Sequence, residues 1–202
     1  MKSEQTILYK AAQIVSVIGH PFVLLPLTVV IAALHNASPA RAFTTGAITV
    51  LATVFPLLFI IRRQVKAGKW SDHDVSERSE RGNFYTILIA VVALACVIFW
   101  FLDFPLALLL GMIISLFLLV AAMIINRRSK ISLHLIFASY CAVSLTAVGF
   151  WTGACFILLA VAVAFSRVIL RRHTTAQVVS GALLGASAGI FLLKIIPFIE
   201  PK

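Results

Sequence analysis

The chain has 202 residues, 61% hydrophobic and only 12% charged, with 17 Lys and Arg against 7 Asp and Glu for a net charge of +10. A soluble domain carries about 25% charged residues, so this composition, with a mean hydropathy of +1.07, excludes a soluble globular fold and indicates one integral membrane domain over residues 1–202. The basic residues lie in loops between apolar runs, which excludes nucleic acid as the natural partner and favours membrane lipids and anionic lipid substrates.

Seven runs are long enough to cross about 30 Å of hydrocarbon at about 1.5 Å per residue. They cover approximately 11–34, 42–61, 83–102, 104–125, 131–150, 153–170 and 174–197. The runs are continuously apolar rather than alternating, so they are helices and not barrel strands. The expected fold class is all-α, a polytopic transmembrane bundle of six to seven helices.

The first run follows Lys2 and Lys10, is longer than a signal-peptide core and lacks a small-residue cleavage site at the right distance, so it reads as a retained helix. His20-Pro21 interrupts it and predicts a kink. Asp103-Phe104-Pro105 leaves room only for a tight hairpin, and Trp151-Thr152-Gly153 joins the fifth and sixth runs in the same way. In the last run Gly181, Gly185 and Gly189 form a stripe that admits close helix approach, either within the bundle or between copies in a homo-oligomer. Cys96, Cys141 and Cys155 sit in apolar runs without a CxxC pair and read as small buried hydrophobes.

If all seven runs cross, one membrane face gathers every Lys and Arg except Arg41, Lys194 and Lys202. The positive-inside rule assigns the crowded face to the cytoplasm. Tyr9, Trp70 and Tyr85 fall near that face and Trp100 and Trp151 near the other, as expected for aromatic belts.

Three polar clusters share the crowded face. In the first, Asp74, Arg78 and Arg81 stand at i, i+4 and i+7, one helix face on which two planar guanidinium forks can point at phosphate oxygens. An intrahelical Asp74–Arg78 pair with a solvated basic edge is the plainer reading. The second, Lys130, Ser132 and His134, opens the fifth run, where a helix N-terminus favours an anion. The third, Ser166 to His173, holds three arginines and a histidine with no acid. Phosphoryl transfer without a metal needs a nucleophile, a proton donor for the leaving oxygen and fixed positive charge. Two histidines can fill the first two roles, and neighbouring cations would keep the His173 ring neutral and nucleophilic.

Ser166-Arg167, five residues, then His173 resembles the third motif, SRxxxxxH, of the type 2 phosphatidic acid phosphatase superfamily. Ser132-Leu133-His134 is similar to the tail of its second motif, PSGH, and Arg81 to the arginine closing its first, KxxxxxxRP. The order of the motifs fits over about residues 74–181, with a family-like core over about 74–197. The resemblance implies that His173 attacks phosphorus to form a phosphohistidine and that His134 protonates the leaving group. It implies also that Arg81 and Arg167 clamp the phosphate, with Arg78, Lys130 and Ser132 beside them. No metal or other cofactor is implied. Departures are plain: Asp74 stands at the first-motif lysine, Gly82 at its proline, and Ile131 and Leu133 at Pro and Gly of the second. Gln177 replaces the Asp that orients the nucleophile; it can still accept a bond from the ring N–H but brings no charge. Asp74 remains a candidate for that orienting role.

The resulting expectation is a membrane lipid phosphatase acting on phosphatidic acid, phosphatidylglycerol phosphate or a polyprenyl phosphate or diphosphate. The alternative is a catalytically degenerate relative that binds or transports a lipid phosphate. A magnesium-dependent prenyltransferase would need a second Asp-rich loop, which the chain lacks.

Overall fold

The computed structural model describes residues 2–71 and 80–199. The described residues form helices and no strand. In order they are α1 (Lys2–Ile18), α2 (Pro21–Asn36), α3 (Pro39–Thr49), a π-helical turn (Val50–Val54), α4 (Phe55–Lys66), α5 (Arg81–Phe101), α6 (Leu106–Asn126), α7 (Leu133–Ser144) with a 3-10 turn (Leu145–Ala147), α8 (Phe150–Ile169) and α9 (Thr175–Ile199). Five are long and apolar enough to cross a membrane, counting Pro39–Lys66 as one rod, or six if the bent α1–α2 pair is one span. The expected polytopic helical bundle is the fold observed.

The boundaries follow local chemistry. His20 caps α2 through Nδ1, which accepts the Phe22 N–H at 3.1 Å, and Pro21 occupies the first helical position. Gly19 lies so close to Val163 of α8 that a methyl group there would overlap it. The kink expected at His20-Pro21 is therefore a full break, with α1 and α2 bent by 51°. At the α5–α6 hairpin, Asp103 adopts φ 49° while Asp103 N–H bonds the Trp100 carbonyl and Phe104 N–H the Phe99 carbonyl. This is a Schellman turn, closed by Phe104 stacked on Phe99 at 4.0 Å.

The fifth expected span differs most. Its apolar helix covers only Leu133–Ala147, about 22 Å at ~1.5 Å per residue. Every residue from His134 to Ala142 is buried, because α2, α8 and α9 surround it. A helix shielded from lipid need not match bilayer thickness. The aromatic expectations divide: Tyr9, Trp100 and Trp151 are exposed, but Trp70 and Tyr85 are core residues. Cys141 is buried, Cys96 half-buried, and Cys155 faces outward, so only the first is the fully buried hydrophobe expected.

The glycine stripe is taken up within the chain. Gly181 faces the Ser132 carbonyl and Leu135, Gly185 the Ile136 carbonyl, and Gly189 Val143. That face belongs to α7 and is not left open to a second copy. A Cβ at Gly185 would overlap backbone that cannot swing aside, so Gly185→Ala should lower stability by ~1–3 kcal/mol. Gly82→Ala, where nothing among the described residues lies within 4 Å, should not lower thermal stability in detergent and, inside α5, should raise it slightly.

Candidate functional site

The site residues converge because four helix ends meet. α5 begins at Arg81, α7 at Leu133, α8 ends at Ile169 and α9 begins at Thr175. Arg81, His134, Arg167 and His173 all line one cavity of about 640 Å3. Each is 8% exposed or less.

The spacing from Arg167 to His173 is set by how α8 stops. Leu170 is its C-cap, and Arg171 follows with φ 52°. The Arg171 N–H bonds the Val168 carbonyl at 2.9 Å and the Arg172 N–H bonds the Arg167 carbonyl at 3.0 Å. These are the two bonds of a Schellman turn. The His173 N–H then reaches the same Arg167 carbonyl at 3.3 Å, folding the histidine back over the arginine. Arg171 is a non-glycine residue in the left-handed region, and the turn holds it there.

Past the turn, Thr174 and Gln177 form a capping box at the start of α9. The Gln177 N–H approaches Thr174 Oγ1 at 3.4 Å, and Gln177 Oε1 accepts the Thr174 N–H at 3.3 Å. The same Oε1 lies 3.0 Å from His173 Nδ1. A backbone N–H can only donate, so that atom is the amide oxygen, and His173 must donate from Nδ1. The lone pair is left on Nε2. Burial, reinforced by Arg167, Arg81 and Lys130, brings His173 down to about 4 from its usual value, against an upward pull from the Gln177 bond.

The other charges are held by residues remote in sequence. Arg167 Nη1 donates to Ser16 Oγ of α1 at 2.7 Å. Arg81 Nη1 donates to the buried Asn126 Oδ1 at the end of α6, at 3.5 Å. His134 lies in the first turn of α7, and its Nε2 makes no hydrogen bond among the described residues. His20 meets the His134 ring edge to face at 4.9 Å. Because His20 Nδ1 accepts from Phe22, its neutral ring carries the proton on Nε2. Ser132 is the fully buried N-cap residue of α7, and its N–H approaches the Gln177 carbonyl at 3.4 Å.

Of the residues expected from sequence, Arg81, His134, Arg167 and His173 are brought together, Gln177 bonds His173, and Lys130 lies near enough to act on its charge. Asp74 and Arg78 lie outside the described residues. Sequence reading missed Ser16, His20, Tyr85 and Asn126 as parts of this site. His20 had one visible signal, a polar residue before proline in an apolar run. Among the described residues no three His, Cys, Asp or Glu side chains are grouped to hold a metal ion.

No protein-family model, curated protein or solved structure matches the chain, so the functional reading rests on this geometry. One consequence concerns stability alone. Arg171→Gly relieves the left-handed backbone, and thermal unfolding in detergent should register a gain of ~0.5–1 kcal/mol.

Proposed function

We propose that the protein is a metal-independent membrane lipid phosphatase, similar in chemistry to the type 2 phosphatidic acid phosphatases. The observation that carries this reading is the meeting of His134, His173, Arg81 and Arg167 at one end of an apolar cavity, with the His173 lone pair on Nε2. A water-soluble ester would have no use for such a cavity.

In the proposed reaction, Arg81 and Arg167 hold the non-bridging oxygens of the phosphate. His173 Nε2 attacks phosphorus and the P–O bond to the lipid breaks. A phosphate dianion between the arginines brings the negative charge beside which His134 can carry a proton, and it passes this to the leaving oxygen. Water then attacks the phosphohistidine, its proton returns to His134, and phosphate leaves. The neutral His20 Nε2–H is a further donor at the same end of the cavity. The basic helix ends sit on the cytoplasmic side under the positive-inside rule.

The test is phosphate release from lipid phosphates by purified protein, with EDTA present. Release should survive EDTA and fall at least ~1000-fold in His173→Ala. Loss in EDTA would refute the metal-independent mechanism. The alternative, a silent binder of lipid phosphates, draws on the uncharged Gln177 where a carboxylate would be expected. A lipid that binds yet releases no phosphate in a single turnover would favour it.

The pH profile tests the role of Gln177. With His173 at about 4, its ring is neutral above that value, so kcat at saturating substrate, where the arginines hold the bound phosphate as its dianion, should lack an acidic limb near the ordinary histidine value of about 6.5. Gln177→Glu keeps the capping box but adds a negative charge, which favours the protonated ring. The variant should lose activity below pH ~6 while the parent protein keeps it.

A further inference from the structure

Arg81 and Tyr85 stand at i and i+4 on α5, so they share one helix face, and both line the cavity. Long side chains on a helix lean toward its N-terminus, which for α5 is the turn that begins with Arg81. Tyr85 is 1% exposed. Its ring packs against Phe84 at 6.2 Å, and Phe84 meets Trp70 edge to face at 5.6 Å. The ring is therefore held in place, yet the hydroxyl at its end makes no hydrogen bond among the described residues.

An unpaired buried hydroxyl costs stability that a phenylalanine in its place would keep. α5 accepts phenylalanine in its core, as the buried Phe84 and Phe99 show, so the oxygen of Tyr85 answers to something other than packing. The hydroxyls of Thr28 and Ser144 line the same cavity and also lack a partner among the described residues. They stand eight residues past His20 on α2 and ten past His134 on α7, about 12 and 15 Å along those helices at ~1.5 Å per residue. A group held at the cationic end is out of their reach. Tyr85 is one turn from Arg81, and the two interact electrostatically.

We infer that the Tyr85 hydroxyl donates a hydrogen bond to a non-bridging oxygen of the phosphate held by Arg81 and Arg167, which makes Tyr85 a further substrate-binding residue. This rests on the phosphate reading of the cationic end. The ligand supplies the acceptor that the described residues do not. A phenol suits the place because it adds a donor without adding charge. A third cation there would repel Arg81 and Arg167 in the free protein, and a hydroxyl does not.

The experiment compares full-length Tyr85→Phe, which keeps the ring, with the parent protein in detergent. Three probes are titrated: inorganic phosphate, an alkylphosphonate and a short-chain diacyl phosphonate, the last two proof against hydrolysis. Thermal unfolding is followed without ligand. The variant should bind all three roughly tenfold more weakly and, without ligand, unfold no earlier than the parent. Equal binding by the two proteins overturns the inference. So does a loss confined to the diacyl probe, because the hydroxyl would then serve an ester oxygen of the lipid backbone. Earlier unfolding of the ligand-free variant also overturns it, since the hydroxyl would already be bonded within the folded protein. Thr28→Val removes a hydroxyl further along the cavity and should leave phosphate binding unchanged; an equal loss in both variants counts against a role specific to Tyr85. Turnover of a lipid phosphate is scored in parallel. Binding without turnover retires the phosphatase chemistry and leaves Tyr85 in place. A parent protein that binds none of the three probes ends the phosphate reading and this inference with it.

Discussion

The close approach of α9 to α7 is the constraint on which the site depends. Three glycines one turn apart bring the α9 backbone against the Ser132 and Ile136 carbonyls and against Val143. Such an approach is open only to a helix face without side chains. Its functional consequence lies at the N-terminal ends of the two helices. His134 stands in the first turn of α7, and His173 stands two residues before α9. Seating one helix on the other therefore sets the relation between the two histidines, and the contact from Ser132 N–H to the Gln177 carbonyl at 3.4 Å fixes it at the site itself. The short, wholly enclosed α7 makes sense in the same way: it is a platform whose length answers to its neighbours.

Ionisable groups at a membrane boundary are costly unless their polar atoms are satisfied. Here much of that satisfaction is neutral. Ser16 takes a bond from Arg167, Asn126 from Arg81, and Gln177 from His173. None of these partners reduces the positive charge of the site. On the proposed reading, a carboxylate in their place would compete with a phosphate for the guanidinium forks. Gln177 thus does two things at once: it closes a capping box and fixes the ring tautomer. The strained Arg171 has a comparable logic, since its left-handed turn is what returns His173 to Arg167.

What could be read from sequence, and what could not, divides by the range of the interaction. The Arg167–His173 relation was legible because a helix end and its turn are local, and the spacing encodes them. Helix alternation along the chain also sufficed to bring Arg81 and His134 to the same end of the bundle. The partners of those residues were not legible. Ser16 is 151 residues from Arg167, and Asn126 is 45 from Arg81, and no periodicity links such positions. Hydropathy registered α7 as one more span because it measures apolarity and not what surrounds a helix. Tyr85 and Trp70 read as interfacial for the same reason, yet both are buried. The glycine stripe announced close approach without naming the partner, which only the packing of α9 on α7 decides.

The two ends of the cavity face different problems. Arg81, His134, Arg167 and His173 gather at one end, and Leu57, Leu88 and Met112 line it further along. Within a bilayer the hydrophobic effect cannot draw a lipid tail into the protein, since the tail is already out of water. If the ligand is the proposed lipid phosphate, net attraction must come from the cationic end, where Arg81 and Arg167 are buried and charge-assisted bonds can replace the hydration of a phosphate oxygen. On that reading the apolar wall contributes shape and little affinity.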